Sequence, residues 1–202
     1  MPAQRVRRVA ALVLSSVLLV TATACTEDPR PAAQEERRGP RAAPSAPVKV
    51  KVTRVSGRLS VKERRALADR VRPTLQGYVD AAFLAGDYPR SSFDGSFRTF
   101  TSGAAAAARR DQDLLTNKRL GPTTRSVRAA RRTAYLSVLA PHGKVAGVTA
   151  AVDLSFVVER GDKTAQRVRL AGRLLLTRQK SGRWAVFGYH LNRADAPMRS
   201  AP

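Results

Sequence analysis

Side chains that bind metal ions or form covalent crosslinks are almost absent from this sequence. It contains one cysteine, Cys25, and two histidines, His142 and His190. A lone cysteine excludes an internal disulfide, and these three side chains are too few for a structural Cys/His zinc site, which uses four ligands. The sequence also lacks a Ser/His/Asp set and a phosphate-binding glycine loop. We therefore predict no metal site and no cofactor.

Acidic residues are scarce as well. Asp and Glu number 15 against 37 Lys and Arg, which gives a formal net charge of +22. A positive field of this size favours negatively charged partners, such as phospholipid head groups, acidic wall polymers or nucleic acid. Apolar residues make up 43% of the 202-residue chain, which is enough for the hydrophobic core of one domain.

The first 24 residues have the parts of an export signal. Three arginines within residues 5–8 precede an apolar run over residues 9–20, which is too short to span a bilayer comfortably. Small residues then lead to Cys25. Because this segment holds three arginines and no acid, its removal lowers the net charge only from +22 to +19. The basic character therefore belongs to the mature protein.

This N-terminal pattern resembles a bacterial lipoprotein signal peptide. The resemblance implies diacylglyceryl transfer to the sulfur of Cys25 and cleavage after Ala24. It departs from the usual pattern at Ala22, where leucine is common three positions before the cysteine. The alternative is an ordinary secretory signal with an incidental cysteine. A lipid-anchored protein on the extracytoplasmic face of the cell membrane is the expectation that we carry forward.

Residues 25–47 predict a disordered tether. Five prolines, several alanines and mixed charge occur there without apolar periodicity, and such a segment cannot bury enough surface to order itself. As a flexible coil, about 22 residues would reach on the order of 25 Å. The folded part would then stay near the membrane, where its charge would draw it towards anionic lipid.

The pattern predicts one folded domain over residues 48–193. Alternation over residues 48–52 indicates an edge strand, because its lysines discourage pairing with other chains. A turn over residues 54–59 is expected next. Ser60 and Glu63 then have the spacing of a capping box, which starts a helix.

An apolar stripe at helical spacing follows over residues 67–83. Pro73 lies inside this stripe and predicts a kink or a division of the helix, and Gly86 predicts its end. A second helix is expected over residues 103–116. The loop between the two helices has the predicted anchors Phe93, Phe97 and Phe100, and the second helix has Thr101 or Ser102 as its predicted cap.

From residue 123 the sequence predicts strands, over residues 124–140, 144–160, 166–178 and 183–193, with a bulge near residues 131–132 and a disordered tail over residues 194–202. A three-residue loop at 161–163 would pair Phe156 with Val168 and Leu154 with Leu170, whereas a two-residue loop would set Leu154 against Arg169. We therefore expect the longer loop. Asp153 and Ser155 should then share the wet face with Arg169 and Arg173.

The last strand is harder to place because both of its faces carry apolar residues. We expect Phe187, Tyr189 and Leu191 on the core face and Trp184, Val186 and His190 on the other. Glycines inside strands usually mark bends. Gly147, Gly172 and Gly188 therefore predict a strongly curved sheet.

Two helices followed by a long, bent antiparallel sheet resemble the NTF2-like (cystatin-like) cone fold, which is of the α+β class. Four stretches resemble more closely a group of actinobacterial lipoproteins that has no assigned function. These stretches are residues 86–90, 108–111 together with 114–117, 172–176 and 184–189. The resemblance extends over residues 48–193. It implies helices that close over a concave sheet and leave a pocket, in a fold that hosts isomerases, dehydratases and plain binding modules.

Two classes of function stay open. A small pocket enzyme of isomerase or dehydratase type needs a carboxylate base and a group that holds the developing oxyanion. The weak candidates for these roles are Asp80, Tyr78, Tyr135, Tyr189 and His190. None of them stands in a pattern that assigns it a catalytic role. Tyrosines of this kind are more often core residues with one satisfied hydroxyl.

The second class is a non-catalytic binding or accessory module of the cell envelope, which the sequence favours. Its predicted anion-binding surface comprises Arg167, Arg169 and Arg173, with Arg128 and Arg132 as further candidates. The expected partners are anionic phospholipid or wall polymer, an unknown protein or a small apolar ligand. Nucleic acid would match the charge, but an exported and anchored protein rarely meets it.

Replacement of Cys25 by alanine tests the anchor. Because the thiol is the only acylation point that the signal offers, Cys25→Ala should move the protein from the detergent-rich to the aqueous phase in Triton X-114 partitioning of cells that express it. Replacement of Ala22 by leucine serves as the control and should keep the protein in the detergent phase. Unchanged partitioning of Cys25→Ala would instead indicate an ordinary secretory signal.

Overall fold

The computed structural model describes residues 47–198, which form a mixed α+β fold, as predicted. The strands are β1 (Lys49–Gly57), β2 (Thr124–Ala140), β3 (Gly147–Arg160), β4 (Ala165–Arg178) and β5 (Trp184–Pro197), and the helices are α1 (Val61–Val79), α2 (Ser102–Arg110) and α3 (Gln112–Leu115). The predicted signal peptide, Cys25 and all of the tether except Pro47 lie outside the described residues. Within residues 47–198, no helix has the length and apolar character needed to cross a bilayer.

The five strands form one sheet in chain order. Strands β2 to β5 pair antiparallel, whereas β1 runs parallel to β2 at the edge of the sheet. The predicted edge position of the first strand is confirmed. The predicted turn over residues 54–59 is wrong, because a register shift between Val52 and Arg54 lets β1 continue beside β2 as far as Gly57. The bulge predicted in β2 is present as a shift between Ala129 and Arg131.

The chain enters the fold at Val48, whose side chain is completely buried. The backbone N–H of Val48 donates a hydrogen bond of 2.6 Å to the side-chain oxygen of Gln76 in α1. The amide nitrogen of Gln76 donates in turn to both carboxylate oxygens of Asp80, at 2.7 and 2.6 Å. The residue that precedes β1 is therefore attached directly to α1.

The capping box is confirmed at the start of α1. The hydroxyl of Ser60 accepts from the N–H of Glu63 at 3.2 Å, and the Glu63 carboxylate accepts from the N–H of Ser60 at 2.7 Å. Pro73 does not divide the helix, because it lies on the exposed side, where water can satisfy the carbonyl that loses its partner. The backbone pattern changes instead at a π-turn, Asp80–Leu84, and Gly86 follows with φ of +91° at the predicted stop.

The predicted second helix is two helices. The Thr101 side chain caps α2 by accepting a hydrogen bond from the N–H of Ala104 at 3.4 Å. The helix is interrupted at Asp111, and α3 follows. The aromatic loop before it contains a 3-10 turn, Asp94–Phe97. Its three predicted anchors are confirmed, because Phe93, Phe97 and Phe100 are all buried.

The β3–β4 hairpin has the predicted register. Phe156 faces Val168 and Leu154 faces Leu170 across the two strands. On the core side, the three-residue connection also sets Val152 beside Gly172, Ala150 beside Leu174 and Val148 beside Leu176. The side chains of alternate residues in β3 and β4 therefore form a continuous dry surface beneath the helices.

The predicted phase of β5 is right at one end and wrong at the other. Tyr189 and Leu191 pack on the core and His190 is exposed, as expected, but Trp184 and Val186 are buried and Phe187 is 50% exposed. The cause is a bulge: Leu175 pairs with Gly188 and Leu176 with Val186, so Phe187 is an extra residue. One extra residue exchanges the two faces of the strand on one side of the bulge.

The final strand continues to Pro197, which corrects the predicted tail over residues 194–202. Ala194 and Ala196 pair with Arg169 and Arg167 of β4. These pairs satisfy backbone groups that β4 would otherwise leave open at its start. The folded part therefore extends to Pro197, beyond the end at residue 193 that the apolar pattern predicts.

The space between the helices and the sheet is filled by side chains. Phe83, beyond α1, stacks on Phe156 of β3 with ring centroids 4.5 Å apart and planes inclined by 7°. Tyr78 packs edge-on against Phe83 and Phe100. Together with Leu174, which is 1% exposed, these rings occupy the position where the resemblance implied a pocket.

Gly172 is the strand glycine that the structure requires. Its φ is +141°, and a Cβ atom there would lie 2.2 Å from the carbonyl oxygen of His190 in the neighbouring strand. Gly147 has no such restriction, since a Cβ atom there would meet nothing within 4 Å. The curvature that the three glycines predict stays a prediction.

Replacement of Gly172 by alanine should lower the free energy of unfolding by about 3 kcal/mol, because it adds a strained φ to a clash with backbone. Urea unfolding followed by circular dichroism measures this loss. Gly147→Ala is the matched control in the same sheet and should change stability by less than about 1 kcal/mol. Equal losses in the two variants would contradict the assigned backbone conformation.

Candidate functional site

One face of the sheet contacts the helices, and we call the opposite face the outer face. Its cationic residues are Lys49, Lys51, Arg54, Arg128, Arg131, Arg167, Arg169 and Arg173, and its acidic residues are Asp153 and Glu159. The prediction that Arg167, Arg169 and Arg173 share one exposed face is confirmed. Arg132 is different. It is buried on the core side, with a guanidinium nitrogen 3.8 Å from the Asp80 carboxylate.

Asp153 joins two arginines across β3. Its carboxylate accepts hydrogen bonds from Arg131 of β2 at 2.8 Å and from Arg169 of β4 at 3.0 Å. Burial opposes ionisation of this carboxyl, but the two arginines outweigh burial and lower the pKa of Asp153 below its ordinary value. Asp153 and Arg169 were predicted to share one face of the sheet. They do, and they form an ion pair there.

The middle of the outer face is covered. Ser155 and Val157 of β3 point to this face, yet they are only 8% and 3% exposed. In register they lie between arginines of the two neighbouring strands, whose long side chains can cover them. The expectation that Ser155 faces water is therefore wrong. Its hydroxyl has no hydrogen-bond partner among the described residues.

Three large apolar side chains are also exposed on the outer face. Tyr135 and Leu139 of β2 are 47% and 54% exposed, and Phe187 at the β5 bulge is 50% exposed. Lys51 is the direct neighbour of Tyr135 in β1, and Arg173 lies two strands away in the same row. The outer face thus combines cations with large apolar side chains that are about half exposed.

Tyr78 and Tyr189 are held by hydrogen bonds. The Tyr78 hydroxyl is buried and donates to the carbonyl of Leu115 at 2.8 Å, and burial raises its pKa far above the usual range. The Tyr189 hydroxyl donates to the Asp111 carboxylate at 2.6 Å. Burial, followed by the effect of Asp111, raises the pKa of Tyr189 to about 12. Both hydroxyls therefore donate to groups of the protein itself.

The remaining catalytic candidates lie elsewhere. The Asp80 carboxylate is occupied by Gln76 and Arg132, and His190 and Tyr135 are exposed on the outer face. The structure therefore does not bring the five candidates together. Within residues 47–198 no group of three or more His, Cys, Asp or Glu side chains could hold a metal ion.

Two surface cavities are also separate from these candidates. One, of about 570 Å³, lies beside α1 and the 3-10 turn and is lined by residues that include Gly77, Ala81, Gly86, Arg90, Asp94 and Arg98. The other, of about 330 Å³, lies at the start of α1 and is lined by residues that include Leu59, Leu67, Arg70, Lys144, Arg178 and Trp184. None of the candidate acids, tyrosines or histidines lines either cavity.

Sequence reasoning missed two residues that matter at these surfaces. Asp111 was assigned no role from the sequence because a continuous helix was predicted through its position, whereas its carboxylate accepts a hydrogen bond from Tyr189 at the break after α2. Phe187 was assigned to the core because a bulge cannot be read from a strand that is apolar on both faces. A comparison of the chain with known protein families, curated proteins and solved structures gave no match in any of the three.

The Tyr189–Asp111 contact predicts a pH dependence of stability. A phenol whose pKa is raised in the folded state stabilises the fold fully below its unfolded pKa near 10. That contribution should disappear as pH rises from about 10 towards 12. Urea unfolding of the parent and of Tyr189→Phe should therefore differ less at pH 11.5 than at pH 8. Asp111→Asn should lower the pKa of Tyr189, measured by absorbance at 295 nm, and an unchanged titration would contradict the contact.

Proposed function

We propose that this protein is an extracytoplasmic lipoprotein, anchored by lipid on Cys25, whose folded domain is a non-catalytic binding module of the cell envelope. The pattern before Cys25 supports the anchor. The observation that carries the binding role is the outer face, where eight cations stand against two carboxylates and large apolar groups are exposed. Its partner is an anionic surface, either phospholipid or wall polymer.

The charge balance of the outer face favours such a partner. Asp153 engages Arg131 and Arg169, and Ser126 donates to Glu159 at 2.8 Å. The other six cations have no acid of their own on this face. Each Lys or Arg near an anionic membrane contributes about 1 kcal/mol of attraction, which decays within a Debye length of about 8 Å at physiological salt. Six such groups on one side are enough to orient the domain.

The filled interior supports a binding module over the alternative, a small pocket enzyme. Phe83 stacked on Phe156 occupies the space where a substrate would have to enter. The residues that could act as base and oxyanion holder face in different directions, and their polar atoms are engaged by Leu115, Asp111 or Gln76. An enzyme of this type needs these groups around one reacting atom.

We also propose that the domain is an NTF2-like cone related to the actinobacterial lipoproteins that its sequence resembles. Helices packed on one face of four long antiparallel strands support this assignment. The parallel pairing of β1 with β2 departs from the antiparallel sheet that the resemblance predicts, and it makes the sheet mixed. A filled cone fits a surface-binding role better than an internal one.

Charge reversal on the outer face tests the proposed function. All core residues found within the described part lie between Val48 and Leu191, so a chain of residues 26–202 keeps that core. Its binding to vesicles of anionic and zwitterionic phospholipid, and to purified cell-wall polymer, can be measured by co-sedimentation. Arg167→Glu combined with Arg173→Glu should weaken binding at least tenfold, since two attractive charges become repulsive.

Lys62→Glu combined with Arg65→Glu is the matched control. It makes the same change in net charge on exposed positions of α1, on the side of the sheet away from the outer face. Less than threefold weakening is expected for this pair. Equal weakening by both pairs would mean that net charge alone drives binding, and the outer face would then lose its assigned role.

A further inference from the structure

Two rows of residues cross the outer face at the middle strand. In one row Arg131 of β2, Ser155 of β3 and Arg169 of β4 are direct neighbours in register. In the next row Arg128, Val157 and Arg167 occupy the same three strands. Neighbouring strands are about 4.8 Å apart and same-face residues about 7 Å apart, so four arginine residues flank a short stretch of β3. We call this group the four-arginine cluster.

Two residues of β3 between these arginines are buried. Ser155 and Val157 are 8% and 3% exposed although none of the helices within residues 47–198 lies on the outer face. Asp153 accepts hydrogen bonds from Arg131 and Arg169, which holds these two guanidinium groups close to the strand. Asp153 and Glu159 lie on β3 at the two ends of these rows and supply two negative charges against four positive ones. The cluster and its flanking acids therefore keep a net charge of about +2.

The hydroxyl of Ser155 lies in the cluster without a hydrogen-bond partner among the described residues. A hydroxyl needs an acceptor for its proton, and guanidinium groups only donate. Leaving a buried polar group unsatisfied costs about 1–3 kcal/mol. A ligand made of acceptor oxygens and carrying negative charge would satisfy the hydroxyl and the arginines at once.

We infer that the four-arginine cluster and Ser155 form a subsite for a phosphate group, and this inference rests on the proposed function. Phosphate presents several acceptor oxygens, which matches paired N–H donors of arginine better than a single carboxylate does. Ser155 donates to one oxygen, and the guanidinium groups of Arg128 and Arg167, which hold no acid, bind the others. The phosphate group comes from a lipid head group, a wall polymer or free phosphate.

Titration with inorganic phosphate tests the subsite. The 26–202 chain is followed by NMR at constant ionic strength, and saturable shifts are expected at the Ser155 amide and at the arginine Nε–H signals. Ser155→Ala should weaken phosphate binding about tenfold, because it removes a hydrogen bond to a charged group. Ser155→Thr keeps the hydroxyl and should restore most of the affinity. A dispersed amide spectrum of each variant confirms that it folds.

Two pairs of neutralised arginines separate the subsite from the general field. Arg128→Gln with Arg167→Gln should weaken phosphate binding more than tenfold. Arg54→Gln with Arg173→Gln removes the same charge from the same face outside the cluster and should weaken it less than threefold. Equal losses in the two pairs, or unchanged binding by Ser155→Ala, would overturn the subsite.

Vesicles and polymer identify the source of the phosphate. Competition between inorganic phosphate and anionic vesicles supports a lipid head group, competition with wall polymer supports a polymer phosphodiester, and saturable phosphate binding without competition supports free phosphate. If the parent chain binds vesicles or polymer but shows no saturable phosphate binding, the subsite is wrong and the proposed function stands. If the parent chain binds neither surface, the proposed function fails.

Discussion

The stacking of Phe83 on Phe156 connects the two layers of this fold. One ring comes from the π-turn beyond α1 and the other from the middle strand, and their planes are nearly parallel at 4.5 Å. Tyr78 packs against the ring of Phe83, and its hydroxyl donates a hydrogen bond to the carbonyl of Leu115. These large side chains fill the space between the end of α1 and the middle strand.

The middle strand is therefore constrained on both faces. Its even-numbered residues lie in the core, and Ser155 and Val157 are buried on the other side, where arginines of the flanking strands are their neighbours in register. The Asp153 carboxylate joins β2 to β4 across this strand through Arg131 and Arg169. Cross-strand pairs of opposite charge contribute roughly 0.2–1 kcal/mol each. The pairing of the strands thus places Arg131 and Arg169 on either side of Asp153.

Much of this architecture could be predicted because the sequence leaves only one good solution. The β3–β4 register follows from the pairing of Phe156 with Val168, since the alternative sets Leu154 against Arg169. The capping box at Ser60 is equally local. The phase of β5 could not be predicted, because Val186 and Phe187 are both apolar and only the bulge decides which of them is buried. The alternation of polar and apolar residues also does not indicate whether two strands run parallel or antiparallel, so the parallel pairing of β1 with β2 could not be predicted.

The site was less predictable than the fold. The exposure of Arg167 and Arg173 followed from the alternation of polar and apolar residues along β4. The surroundings of Ser155, in contrast, include residues of β2 and β4, and only the pairing of the strands places these beside it. The contact between Tyr189 and Asp111 depends on a helix break that has no glycine or proline to mark it. Contacts between distant parts of the chain are decided by tertiary packing, which local patterns do not contain.

The fixed entry point of the chain at Val48 has a consequence for proteolysis. Proteases need several consecutive residues in extended, accessible form, so cleavage inside a folded unit requires local opening. Val48 is fully buried and its N–H is held by Gln76, which also binds Asp80. Cleavage next to Val48 would therefore require the local opening of its contact with α1. As long as that contact is closed, the sheet and its outer face are protected at this end.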